Sequence, residues 1–272
     1  LRTLLLSKQD IEEENFRELQ KLFAQMVMLP TDYCNPEAFV SVWKGWDDEP
    51  IDPRAQADCV EFLELFFTRI EHVFPEIYEI FAGEIVVRTT GTSVDFSKDQ
   101  KQPFITFPLK VKDHTNIEES LNTFLLPDKL EGYDAEGFGK IDAEMTQRIS
   151  KAPKILIVQL ERFDYDMNTN SRTKVNSEYK FPLELDISPV TIDLSEKPIY
   201  DLCGIVVHSG SAQAGHYISR INCDGWYQFD DIRVTPYSPA DIVSDNAGGY
   251  DKHNYYDYQF HTYHTEVMER VS

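Results

Sequence analysis

Apolar residues recur at intervals of three and four near the start of the chain. Ile11, Phe16, Leu19, Leu22, Phe23, Met26 and Val27 make one such stripe, the pattern of an amphipathic helix. Asn35-Pro36 then reads as an N-cap with proline at the first helical position, opening a short helix through Trp43. Asp52-Pro53 repeats the device. It predicts a longer helix with Val60, Leu63, Phe66, Phe67, Ile70 and Val73 facing inward. The acidic run Asp47-Asp48-Glu49 falls in the loop between the two.

The period changes after residue 83. Glu84–Arg88 and Phe104–Val111 predict strands. Asn116 with Glu119 is a capping-box pattern, starting a helix that carries Ile117, Leu121 and Phe124. Ile155–Leu160 is a short β-rich run, and Tyr200–His208 is another. Tyr217–Ile221 and Trp226–Phe229 flank Asn222-Cys223-Asp224-Gly225, whose Asp-Gly step signals a hairpin. Asp164–Glu178 is polar and reads as a long loop or an extended hairpin tip, while Tyr256–Tyr263 is expected to close the sheet. Helices first and a mostly antiparallel sheet later predict an α+β fold.

Composition narrows the functional classes. The chain has 272 residues, 42% of them hydrophobic and 12% aromatic, which suits a folded globule of one large or two small domains. The formal charge of −21 opposes nucleic acid and anionic membrane and favours basic partners. No apolar run approaches the ~18–20 residues of a membrane span. Cys34, Cys59, Cys203 and Cys223 are scattered, with no C-x-x-C pair and no zinc spacing. An intracellular, reducing compartment is expected.

Chemistry concentrates on the late hairpin. A thiol protease needs an imidazole that moves a proton and a carboxylate or amide that fixes the ring. His216 and Asp230 lie on the two arms. With a three-residue loop, Asp230 falls opposite Ile218 and shares a face with His216, as a diagonal neighbour at roughly 7–8 Å. With two or four loop residues, Asp231 takes that place. An ordinary hairpin with an exposed histidine would show the same residues. His208, His253, His261 and His264 are weaker candidates, and only His208 precedes a Ser-Gly step.

Four segments together resemble the ubiquitin-specific protease family. Val207-His208-Ser209-Gly210, Gly215-His216-Tyr217, Trp226 and Phe229-Asp230-Asp231 are similar to its histidine box. Leu156 to Asp166 resembles its "L-I-I-x-L-K-R-F-x-Y-D" strand, and Lys180 to Asp186 its "F-P-x-x-L-D" segment. Gln56 to Leu63 resembles its "Q-Q-D-A-Q-E-F-L" helix start. All appear in the family's order.

The resemblance implies a papain-like fold: a helical thumb over residues 1–82, fingers over 83–150 and a β palm over 151–272. It implies hydrolysis of the bond after ubiquitin's C-terminal glycine, in the cytoplasm or nucleus, with no cofactor. His216 would be base and acid, Asp230 would orient it, and Asp231 would be a second helper. Asp58 and Gln56 would meet ubiquitin's tail. Phe163, Tyr165 and Tyr217 would line its channel, and the loop Ser209–Gly215 would flank it. The oligomeric state is left open.

The sequence also departs from the family pattern. The cysteine box, "G-x-x-N-x-G-x-T-C-Y-x-N-S", should precede everything here, since Leu1 to Leu6 resembles the stretch that follows it. The nucleophile and oxyanion asparagine are therefore expected upstream of Leu1. Cys59 takes an alanine position, Cys203 is expected inside a strand, Cys223 in the hairpin loop and Cys34 in an interhelical loop. Val87, Thr90, Ala135 and Phe138 occupy the places of the family's four fingertip zinc ligands, so no zinc is expected there. Glu161, Ala57 and Val60 also depart from the pattern. Two further readings follow: a catalytically inactive ubiquitin-binding or scaffolding module, and a papain-like protease for another modifier. A native "N-x-G-x-T-C" motif upstream would select the enzyme.

Overall fold

The computed structural model describes residues 1–272 apart from 31–32, 168–169, 193–196, 212–213, 258–261 and 270–272; over 165–166, 251–257 and 262–269 it describes backbone alone. The chain divides into two compact units, Leu1–Phe81 and Ala82–Ser272.

The first unit is helical: α1 (Arg2–Ser7), α2 (Glu14–Met28), α3 (Glu37–Val42), α4 (Cys59–Val73) and α5 (Pro75–Phe81). Its core is aromatic. Phe16 meets Phe66 and Phe74 edge-on at 5.8 and 6.2 Å, and Trp43 stacks on Phe66. The α2 stripe is buried only at its start. Phe16 and Leu19 are inside, but Met26 and Val27 are exposed.

The long helix α4 begins later than its sequence suggests. Its N-cap is Asp58, whose carboxylate accepts from the Val60 amide at 2.8 Å. Asp52 instead caps a turn, accepting from the Arg54 amide at 3.0 Å. Residues 51–57 are all exposed, so no apolar face sustains a further helical turn there. Asn35 accepts from the Glu37 amide at 2.9 Å just ahead of α3, but the N-cap is Pro36, one residue later than its sequence suggests.

The second unit is mostly strand. In order it holds β1 (Gly83–Gly91), β2 (Ser97–Phe104), β3 (Thr106–Lys110), α6 (Ile117–Phe124), β4 (Asp128–Ala135), β5 (Gly139–Lys151) and β6 (Ile157–Glu161). There follow β7 (Phe163–Asp166), β8 (Ser171–Lys174), β9 (Glu184–Asp186), β10 (Ile199–Asp201), β11 (Gly204–Gly210), β12 (Gly215–Asn222), β13 (Trp226–Asp230), β14 (Arg233–Pro236), β15 (Tyr250–Asp257) and β16 (Thr262–Glu269).

One antiparallel sheet runs β2-β1-β5-β4, another runs β11-β12-β13-β14, and β3 pairs with β6 in parallel. Phe107, Leu109, Val111, Ile149, Tyr179, Ile187 and Val190 form the core with Ile117 and Leu121 of α6. Tyr179 donates its hydroxyl to Ser120 at 2.8 Å, and Ser120 donates in turn to the Lys110 carbonyl. The capping box at α6 is displaced by one residue. Asn116 accepts from the Glu119 amide, but Glu119 reaches back to the Thr115 amide at 2.7 Å.

Two expectations about strands need correction. Tyr200–His208 is two strands, because β10 pairs with β9 while β11 pairs with β12. The segment containing Tyr256 and Tyr263 does not close the large sheet: β15 pairs with β16 alone among the described residues. Strand β2 carries no apolar alternation in its sequence, since all of it but Phe104 is exposed and polar or small. At the far end of the first sheet, Phe96 packs against Tyr133 and Phe138, each at 5.9 Å. That aromatic contact joins the β1–β2 connection to the end of β4 and the β4–β5 connection, near Thr90, Ala135 and Phe138.

Candidate active site

The β12–β13 connection has three residues, Cys223-Asp224-Gly225, between the paired Asn222 and Trp226. Asp224 and Gly225 take positive φ of 57° and 136°, which explains the Asp-Gly step. The ladder continues through Ser219 opposite Phe229, which sets Asp230 across from Ile218. Asp230 therefore shares a face with His216, two residues along. The side chains meet: His216 Nε2 lies 2.6 Å from Asp230 Oδ1.

Both groups reach solvent, with 50% and 39% of their side-chain surfaces exposed. The hydrogen bond to Asp230 raises the His216 pKa above 6.5; slight burial opposes it, and the charges of Asp231 and Asp230 add to it. Asp231 stands in the following turn at φ 50°. The three side chains bring donor atoms within 4.8 Å of one another. They are the one group among the described residues with the donor set for a metal, but Nε2 is already engaged by Asp230.

Further along the same face the hairpin is anchored from below. Arg220 is buried, bonds Gln228 and Asn246, and stacks over the Tyr237 ring at 4.3 Å. Tyr237 donates to Asp245 at 2.6 Å, and burial with that partner pushes its pKa up to about 12. Residues 237–246 are thereby tied to the strand that carries His216.

The opposite face gathers aromatic residues. His208 pairs with Tyr217 across β11 and β12, and its ring lies 4.8 Å from Tyr217 and 5.6 Å from Phe163. Gly215 makes this packing fit, since a Cβ there would collide with His208 Nε2 and the Ser209 carbonyl. His208 had stood out only by its Ser-Gly step; the glycine two residues before its partner Tyr217 was the further signal. Ser209 pairs with His216 across the ladder. Ser209 and Gly210 end β11, Gly215 begins β12, and between them the Ser211 amide donates to the Ala214 carbonyl at 2.8 Å.

The remaining candidates are placed separately. Tyr165 lies on β7, and its side chain is outside the described residues, as are those of His253, His261 and His264. Gln56 and Asp58 belong to the Leu1–Phe81 unit, Gln56 exposed and Asp58 serving as the cap of α4. Cys59 is the first residue of α4, and Cys34 precedes α3. Cys203 is exposed in the β10–β11 connection, not inside a strand, and Cys223 is exposed in the hairpin turn. Both sit at the end of the hairpin remote from His216, roughly 20 Å along the strand.

A family model described as Ubiquitin carboxyl-terminal hydrolase matches residues 1–254. The chain belongs to that family. Ubiquitin carboxyl-terminal hydrolase 34 of Homo sapiens is 31% identical over 269 residues, covering 85% of this chain and 8% of that protein. Ubiquitin carboxyl-terminal hydrolase 15 of Schizosaccharomyces pombe is 32% identical over 220 residues, covering 75% of this chain and 19% of that protein. The chain thus spans less than a fifth of either relative. Among solved structures, the SAGA Ubp8/Sgf11/Sus1/Sgf73 DUB module bound to ubiquitin aldehyde superposes with a TM-score of 0.74 at 21% identity, over 87% of this chain and 58% of that one. The α+β fold is accordingly the papain-like fold of the ubiquitin hydrolase family.

Proposed function

We propose that this chain supplies the acid–base half of a thiol hydrolase that cleaves the peptide or isopeptide bond after ubiquitin's C-terminal glycine. The 2.6 Å contact between His216 Nε2 and Asp230, in a member of this family, carries the reading. With Nε2 held, Nδ1 is the atom that takes the proton of a thiol. The thiolate adds to the carbonyl carbon, and Nδ1 returns the proton to the departing amine, leaving a thioester. Water then attacks the thioester, Nδ1 accepts its proton, and the thiol is released. Two acids beside the ring favour the imidazolium that forms in each half.

The nucleophile is supplied by chain preceding Leu1. Neither Cys203 nor Cys223 is near the imidazole, and Cys34 and Cys59 match no nucleophile motif. Phe163, His208 and Tyr217 offer an aromatic wall for an extended tail. Gln56 and Asp58 are polar candidates on the Leu1–Phe81 unit, and the acidic composition suits a basic partner. The solved neighbour bound to ubiquitin aldehyde supports ubiquitin as the ligand class.

The test uses the full-length gene product and ubiquitin carrying a fluorogenic C-terminal amide. Wild type cleaves it with a bell-shaped pH profile, and His216→Ala lowers turnover by about 10²-fold or more while ubiquitin affinity holds. Retained turnover in that variant removes His216 from the role. A wild type that binds ubiquitin but never cleaves it establishes the inactive binding module instead. Residues 1–272 alone form no adduct with an electrophilic ubiquitin probe. Labelling of Cys34 or Cys59 would reassign the nucleophile.

A further inference from the structure

The strand end that carries Ser209 and Gly210 is held from outside its own sheet. Among the described residues β11 is an edge strand, with β12 on one side and no strand on the other. Edge strands leave backbone acceptors open. Lys174, the last residue of β8, fills two of them, donating to the carbonyls of His208 at 3.1 Å and Gly210 at 3.4 Å. Its partner across the β7–β8 ladder is Phe163, whose ring meets His208 edge-on at 5.6 Å. The same short hairpin therefore grips β11 twice, by charge through Lys174 and by a ring through Phe163.

The hairpin has a firm base. Arg162, immediately before β7, is buried and donates to the carbonyls of Val175 at 3.1 Å, Ser177 at 3.0 Å and Ala247 at 3.1 Å. Backbone bonds reinforce it, since the Val175 amide donates to the Arg162 carbonyl at 2.6 Å. The gripped segment pairs directly with the proposed base: Ser209 lies opposite His216, and Gly210 opposite Gly215.

We infer that the β7–β8 hairpin is a brace for the imidazole strand and that Lys174 is a positioning residue for His216. The inference rests on the proposed acid–base role of His216. Lys174 acts through the backbone of β11, the strand paired with the one that carries His216. A flexible tip would let β12 shift against β13 and lengthen the contact with Asp230, whose angle and distance decide how well the ring is oriented.

The experiment compares Lys174→Met, Lys174→Gln and Lys174→Arg in the full-length protein. In cleavage of the fluorogenic ubiquitin amide, Lys174→Met lowers kcat about tenfold with KM within about twofold. Lys174→Arg, which keeps a charged donor, recovers most of that loss. Lys174→Gln keeps one neutral donor, falls between them and serves if the methionine variant folds poorly. In parallel, the His216 ring is titrated by NMR. Loss of the brace moves its titration toward that of an ordinary imidazole, and Lys174→Arg moves it back. An unchanged kcat in Lys174→Met of an active enzyme overturns the inference, as does a loss confined to KM, which would make Lys174 a substrate contact. If wild type shows no cleavage, the proposed function fails, and the titration decides the brace by itself: an unshifted ring in Lys174→Met and Lys174→Gln refutes it.

Discussion

Asp230 lies diagonally across the β12–β13 ladder from His216, and its Oδ1 meets the ring's Nε2 at 2.6 Å. That one contact raises the histidine's pKa more than the neighbouring charge of Asp231 does. A raised folded-state value means that the charged ring stabilises the fold. The contribution is complete below the ordinary value near 6.5 and is lost as pH rises through the raised one. Asp230→Asn should therefore lower the ring's titration point and cost more stability at pH 5.5 than at pH 9. NMR titration with denaturant melts at both values checks this, and an equal loss at the two pH values would contradict it. The limb of the activity profile governed by His216 should move to lower pH in the same variant.

The turn that sets this register makes a second prediction. Gly225 sits at φ 136°, where a side chain is strained, although a Cβ would meet only Tyr227, at 3.7 Å. The cost of substitution is thus conformational rather than steric. Gly225→Val should destabilise the protein by about 1–2 kcal/mol. Asp224→Gly, at φ 57°, should change stability by less than about 0.5 kcal/mol. Urea unfolding midpoints separate the two, and equal effects would show that φ is not what selects these residues.

This hairpin was legible from the sequence because its information is local. An Asp-Gly step and a period of two mark the hairpin and narrow the ring's partner to Asp230 or Asp231, and the observed three-residue loop selects Asp230. The aromatic wall was only half legible. Phe163 and Tyr217 stand in recognisable segments, but His208 joins them through a contact between strands distant in sequence. The hold of Lys174 on β11 gives no sequence signal, since the two groups it meets there are backbone carbonyls and carry no residue identity. The start of α4 is ambiguous in the sequence for a related reason. Asp52-Pro53 and Asp58 are both capping chemistries, and burial beginning near Val60 chose between them.

Gly215 offers a third test. An added Cβ would collide with His208 Nε2, which can move, and with the Ser209 carbonyl, which is backbone. Gly215→Ala should cost about 1–3 kcal/mol, the usual range for overpacking. It should also reduce cleavage by the full-length protein, because the neighbouring residue is His216. Adding His208→Ala relieves one clash only, so the double variant should recover part of the loss and no more. Full recovery in thermal melts would mean that the carbonyl gives way freely.

The last prediction concerns a charge with no carboxylate partner among the described residues. Arg162 is 5% exposed, and burial holds its pKa down to about 10, the direction expected of a cation removed from water. Three carbonyls from two segments hold it, those of Val175, Ser177 and Ala247. Truncation leaves those acceptors without their donor inside the protein, which costs more than the bonds contribute net. Arg162→Met should lose about 3 kcal/mol of stability. Arg162→Lys should recover little, because one ammonium on a flexible stem cannot span three carbonyls that a planar guanidinium reaches together. Hydrogen exchange locates the damage: amides of 175–179 and 247–249 should lose protection together, while those of the Leu1–Phe81 unit keep theirs. Protection lost evenly across both units would make Arg162 a general core residue rather than the local tie between β7 and the Ala247 segment.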